Sequence, residues 1–350
     1  MWKGIAGLSA VVATAALVAA SVASAQPTAR QVRSYSAAGS CPKNLKVGVV
    51  DLIAQSPIDN KTSQMAVQTA KALGWSVQFV DAAGDPAKGQ AAIQSFVDQK
   101  YDLIFNTSID AAPIRSALQA AKKAGIPVFE TAAGNAPSDL FAGMYNEDET
   151  TMGRILMEYI VKTVPNAKIS DLTTRLNRAG LLRDNAIRAV VKANPSAKIL
   201  AATEVDLTNA VVNTTKIVTD HLTAHPDINA VYAVFDNMAA AAINAVRAKG
   251  SKAGVYSYFT TAANLKFLRS KGLLKAVADA NLPLGAVVGF DQFLAWKVNK
   301  TPIDKNALAK IGGMTYKIID QDNVPVTGEV FSNAGTLAPY LAKWKKTYGC

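Results

Sequence analysis

From Leu45 onward, short aliphatic or β-branched runs alternate with longer stretches of helical period, and a chain patterned this way is committed to βα units around a parallel sheet. In the first half the strand signals fall at 45–50, 76–80, 102–106 and 127–130, with helical period at 63–73, 89–99 and 112–124. Each helix is stopped by a nearby Gly or polar break. After Gly143 the alternation restarts: helices are expected at 151–164, 183–192, 211–224, 239–249 and 261–269, and strands at 198–203, 230–235, 254–258 and 274–278. The halves echo each other. Leu103–Asn106 leads through Asp110 into an Ala-rich helix, Gly125 and a strand, and 230–235 leads through Asp236 into an Ala-rich helix, Gly250 and a strand. The expected fold class is α/β, with two doubly wound lobes.

Open parallel sheets bind ligands beyond the carboxyl ends of their strands. Two such lobes facing each other place Gln55, Asn106, Thr131, Phe235 and Phe259 along one cleft, and clefts between lobes favour small molecules.

The amino-terminal segment has a different grammar. Met1-Trp2-Lys3 carries one positive charge, 4–25 is uncharged and rich in Ala, Val and Leu, and Ala23-Ser24-Ala25 precedes Gln26. This reads as a signal peptide over 1–25, followed by a tether over 26–41. The alternative is an uncleaved anchor, since the apolar run is long enough to span a bilayer. Either way the bulk of the chain is expected outside the cytoplasmic membrane, periplasmic or extracytoplasmic. The two cysteines, Cys41 and Cys350, sit in terminal extensions, where a disulfide clasp can form in an oxidising compartment.

A net charge of +11 raises the question of nucleic acid. The lysines and arginines are scattered, with no basic stripe interleaved with aromatics, so no nucleic-acid partner is expected. His221 and His225 lie four apart, but the second precedes Pro226, and no metal site or cofactor is expected. Glu147 and Asp148 read as exposed loop charges. With no phosphate-cradling glycine motif and no nucleophile elbow, the chain is read as a monomeric binding protein and not an enzyme.

Particular residues carry a family likeness. Leu45-Lys46-Val47-Gly48-Val49-Val50, Pro57, Ala70–Trp75, Asp81 and Asp85-Pro86-Ala87-Lys88 resemble the opening of the type I periplasmic binding proteins of the ribose and galactose group. So do Gly125-Ile126-Pro127-Val128, the stretch Leu222–Val231 and Tyr316-Lys317-Ile318-Ile319. The resemblance implies two Rossmann-like lobes joined by three crossing strands, a hinge, and a small molecule delivered to the permease of an ABC importer. A sensor that presents its closed form to a membrane kinase or chemoreceptor is the alternative. Implied boundaries are 42–144 with 282–312 for the first lobe, 145–281 with 313–335 for the second, and 336–350 as a C-terminal extension.

Compared residue by residue, the resemblance makes Ser56, Ile58 and Asp59 the first ligand loop and Ala132 and Ala133 the replacements for an Asp-Arg pair on the sugar. It keeps Arg183, and it places Phe235 ahead of Asp236, Phe259 where an Asp is usual, and Asn281 at the last crossover. A buried hydroxyl without a partner costs about 1–3 kcal/mol, so losing Asp, Arg and Asn in favour of Ala and Phe implies a ligand with an apolar or aromatic portion and an acceptor group met by Arg183. On the alternative reading, Phe235 and Phe259 are strand-end core residues.

Overall fold

The computed structural model describes residues 40–350 apart from 133, 176, 207 and 208. The leader expected at 1–25, nearly all of the expected tether and Ala133 lie outside the described residues. In the first lobe, β1 (Lys46–Asp51), β3 (Leu103–Thr107) and β4 (Val128–Thr131) are buried along almost their whole length, as strands covered by helices on both faces must be. With β2 (Ser76–Asp81) and β5 (Gly143–Met144) they form a parallel sheet in the order β2-β1-β3-β4-β5. α1 (Pro57–Ala72) covers one face, and α2 (Pro86–Asp98) and α3 (Arg115–Lys123) cover the other. α1 begins six residues before its clearest apolar period because Pro57 fits the first turn, where its missing N–H costs nothing.

The second lobe runs α4 (Glu149–Thr163), β6 (Lys168–Thr173), α5 (Arg178–Ala193), β7 (Lys198–Glu204), α6 (Ala210–Ala224), β8 (Ala230–Ala233), α7 (Ala239–Ala248), β9 (Gly254–Tyr258), α8 (Ala262–Arg269) and β10 (Leu274–Ala280). Its sheet order is β11-β10-β9-β8-β6-β7, all parallel except β11 (Tyr316–Asp320), which pairs antiparallel with β10. The α/β class and the two mostly parallel sheets are as expected from sequence. β6, between β7 and β8, occupies a stretch where no strand was expected.

The chain crosses between the lobes four times. The first crossing follows β5, the second lies between β10 and α9 (Pro283–Asn299), and the third follows α10 (Ala307–Lys310) into β11. The three crossings implied by the resemblance account for these. A fourth follows β11, because α11 (Asn333–Tyr348) returns to pack on α1 and α9, burying Leu337, Trp344 and Tyr348 in the first-lobe core. Trp344 is fully buried beside Phe290 and Tyr340, and its Nε1 donates to Asp291 at 2.8 Å. Residues 336–350 are therefore part of a core helix and its end. Cys350 then bonds Cys41, with Cα atoms 5.0 Å apart. At the second crossing, a Cβ on Gly285 would stand 2.2 Å from the Tyr145 carbonyl oxygen; only glycine lets α9 lie this close to the first crossing.

Candidate functional site

The loops at the carboxyl ends of the two sheets meet. Ile58, in the first turn of α1, and Ala132, just after β4, both pack against the core of the second lobe. A Cβ on Gly134 would come within 2.8 Å of the Glu149 side chain, at the start of α4. Asp59 faces this junction and accepts from Ser108 Oγ at 2.6 Å. Burial raises its pKa, the hydroxyls of Ser108 and Ser56 oppose that, and Glu149 adds to it. Across the junction Asp236 opens the short 3-10 turn that follows β8. Its pKa is raised to about 6, by burial first, then by the Asp59 carboxylate, with Arg183 acting the other way. Two carboxylates from opposite lobes thus share one cleft.

Arg183, on α5, is almost fully buried. Its Nε and Nη2 donate to the two oxygens of Glu149 at 2.6 and 3.0 Å, and Nη1 donates to Val234 O at 2.7 Å. The guanidinium carbon lies 4.0 Å from the Tyr258 ring centre and 5.4 Å from those of Phe235 and Phe259. A planar cation among three rings with a bidentate carboxylate is a strong in-chain arrangement. The fork expected to receive a ligand is engaged by Glu149, a partner the sequence reading missed. Phe259 sits at φ 57°, which turns the chain after β9 and seats its ring in the second-lobe core.

The other expected residues divide. Gln55 is exposed and Ser56 half-buried at the start of α1. Thr131 is buried, its Oγ1 3.3 Å from that of Thr107. Asn106 is fully buried and turned to its own loop, donating to Ile109 O at 2.8 Å, which suits it to shaping the β3–α3 connection. Asn281 ties crossings together: its N–H donates to Thr315 O and its Oδ1 accepts from Thr336. Asp279, at the end of β10, was not anticipated; burial raises its pKa, while Thr260 and Lys61 lower it. Glu147 is buried, in contrast to the exposed loop charge read from sequence, because the first crossing is packed between the lobes. His221 is held between Ser170 Oγ and Thr203 Oγ1, both at 2.8 Å, while His225 ends α6. Among the described residues no group of three or more His, Cys, Asp or Glu is placed to hold a metal, and no helix is long and apolar enough to cross a membrane.

The buried carboxyls set a pH dependence. Asp171 on β6 is raised to about 7, by burial first, against the pull of Arg188 and with a push from Asp184; Asp236 reaches about 6. A carboxyl whose folded pKa exceeds its unfolded value holds more protons when folded. Its contribution is complete below the unfolded value and is lost as pH rises through the folded one. Stability is expected to fall by roughly 1–3 kcal/mol between pH 5 and pH 8, seen as a Tm lower at pH 8. A flat or rising Tm over that window would contradict the burial of these groups.

The model of the periplasmic binding protein domain matches residues 21–287. The ribose import binding protein RbsB of Bacillus subtilis is 24% identical over 220 residues, covering 60% of this chain and 68% of that one. Its Escherichia coli counterpart is 27% identical over 187 residues, covering 53% of this chain and 62% of that protein. Among solved structures, the 5-methylthioribose transporter solute binding protein of Thermotoga lettingae superposes with a TM-score of 0.69 at 18% identity, over 88% of this chain and 95% of that one. With two α/β lobes facing across a cleft and a family model spanning most of its length, the chain belongs to the periplasmic binding protein family, type I fold.

Proposed function

We propose that the lobes close as a hinge over a small neutral molecule that bears hydroxyls and an apolar portion, and that the closed form delivers it to an ABC importer. The leader at 1–25 would carry the chain across the cytoplasmic membrane, so that capture takes place outside it. The observation that carries this reading is the make-up of the cleft: Asp59 and Asp236 from opposite lobes beside Phe235 and Ile58. Carboxylates accept from hydroxyls, and the partly exposed Phe235 and Ile58 offer apolar surface. Arg183 is already neutralised by Glu149, and two further carboxylates make the cleft unfavourable to an anion. Relatives whose names refer to ribose and to 5-methylthioribose support the same class.

Closure requires a ligand with higher affinity for the closed state than for the open one. A thermal-shift screen of methylthioribose, ribose and hexoses against their aldonic acids and aromatic acids is the test. At about a thousand times its dissociation constant a true ligand stabilises the fold by about 4 kcal/mol, and small-angle scattering should then show compaction. Stabilisation by an acid alone would reject the neutral-ligand reading. Identical scattering profiles at saturation would reject the hinge.

A further inference from the structure

β11 leaves the chain in the second lobe, and α11 begins in the first after twelve intervening residues. The connecting strap, Gln321–Ser332, is gripped from both sides. Arg269 of α8 in the second lobe donates from Nε to Pro325 O at 2.9 Å and from Nη2 to Gly328 O at 2.6 Å. Val324 and Val330 pack against that lobe's core. Glu329 follows Gly328 directly, so the second lobe presents it. Lys61 of α1, on the first lobe, meets it there: Nζ lies 2.9 Å from Glu329 Oε2, and Asn333 Nδ2 donates to Lys61 O at 3.1 Å. One cation on the first lobe is therefore paired with Glu329, a carboxylate held by the second, and also acts electrostatically on Asp279 at the end of β10.

We propose that the strap is a latch on the hinge: the Lys61–Glu329 pair forms as the lobes close and breaks as they open, so the chain's own C-terminal segment favours closure before any ligand contributes. This rests on the hinge reading above. Twelve extended residues reach up to about 40 Å, so the strap is long enough to permit opening, and its contacts, not its length, set the balance. α11 anchors its far end in the first-lobe core, and the Cys41–Cys350 bond pins that helix. Lys61 is mostly shielded while Glu329 is half exposed. An ion pair of this kind shifts the closed-to-open ratio about two- to fivefold.

The test is a distance distribution between spin labels on Lys88→Cys, exposed on α2, and Thr215→Cys, exposed on α6, in the ligand-free full chain with the native disulfide intact. Glu329→Gln should raise the long-distance population relative to the short one by two- to fivefold. Arg269→Gln, which frees the strap from the second lobe, should do the same. Ala132→Trp serves as a wedge, since Ala132 lies against the second-lobe core with 1% exposure. If the wedge lengthens the distance while Glu329→Gln and Arg269→Gln match the parent, the latch is overturned and the hinge stands. If the folded wedge variant keeps the parent distance, the lobes do not hinge and both readings fall. Unchanged populations in Glu329→Gln overturn the latch even if the wedge variant does not fold.

Discussion

Arg183→Ala is expected to lower the unfolding free energy by about 3–5 kcal/mol, because it leaves the buried Glu149 carboxylate without its partner. Both side chains are at most 2% exposed. Burial alone would pull the arginine pKa down, but Glu149 more than offsets this and leaves it raised, so the guanidinium stays charged across the accessible pH range. Three rings lose their packing as well. The matching double variant, Arg183→Met with Glu149→Leu, removes both charges and should recover most of the loss, since buried ion pairs replaced by apolar groups are often neutral in stability. Urea midpoints at constant slope read both. A residue that merely touches ligand would behave otherwise: Arg183→Ala would then cost tenfold or more in affinity and almost nothing in stability. A single-variant loss below about 1 kcal/mol would be incompatible with a buried pair.

The difference between those two behaviours marks where the sequence was legible. Aliphatic runs such as Lys46-Val47-Gly48-Val49-Val50 and Leu103-Ile104-Phe105 announce themselves, and their strands lie within a residue of the expected bounds. β6 does not, because Lys168-Ile169-Ser170-Asp171-Leu172-Thr173 places Ser170 and Asp171 inside a buried strand. Those polar groups find partners far along the chain: Ser170 in His221, and Asp171 at one of its two oxygens in Arg188. Periodicity cannot register a partner 51 or 17 residues away. The same limit hid Glu149, 34 residues before Arg183. Glu149 reads locally as an acidic residue in a helix's first turn, a position favoured by the helix dipole alone.

Strand ends were easier to locate than side-chain directions. Asn106, Thr131, Phe235 and Phe259 all stand at carboxyl ends of strands or just beyond, yet Asn106 turns to Ile109 and Phe259 turns into the core through its positive φ. α11 was the least legible element. Its apolar residues Leu337, Trp344 and Tyr348 are sparse among lysines and carry a proline at 339, so nothing local tells a core helix from a solvated tail. Its identity comes from what it covers: α1 and α9, which α11 helps to seal.

That helix makes the Cys41–Cys350 bond matter energetically. The bond closes a loop of 309 residues, for which chain entropy gives an upper value of roughly 5–6 kcal/mol. The reduced chain has a cheaper way to yield, since α11 can detach alone, and the realised cost is then limited by what docks it. That docking is substantial: Trp344 is fully buried, and truncating such a side chain costs about 3–5 kcal/mol. At the other end of the clasp, Pro42 O accepts from Trp75 Nε1 at 2.8 Å, beside Phe290 and Phe293. Both cysteines are thus tied to the same aromatic core, and the bond joins two segments that are already neighbours. Cys41→Ser with Cys350→Ser is expected to lower stability by about 2–5 kcal/mol. At about 2–4 °C per kcal/mol for a chain of this size class, Tm should fall by roughly 4–20 °C. Reductant should reproduce the shift in the parent and add nothing to the double serine variant. Intact-mass analysis under alkylation reads the bond itself, and two alkylated thiols in the non-reduced protein would refute it. A variant as stable as the parent would show instead that α11 holds without its clasp, and that the core around Trp344 carries the whole of its attachment.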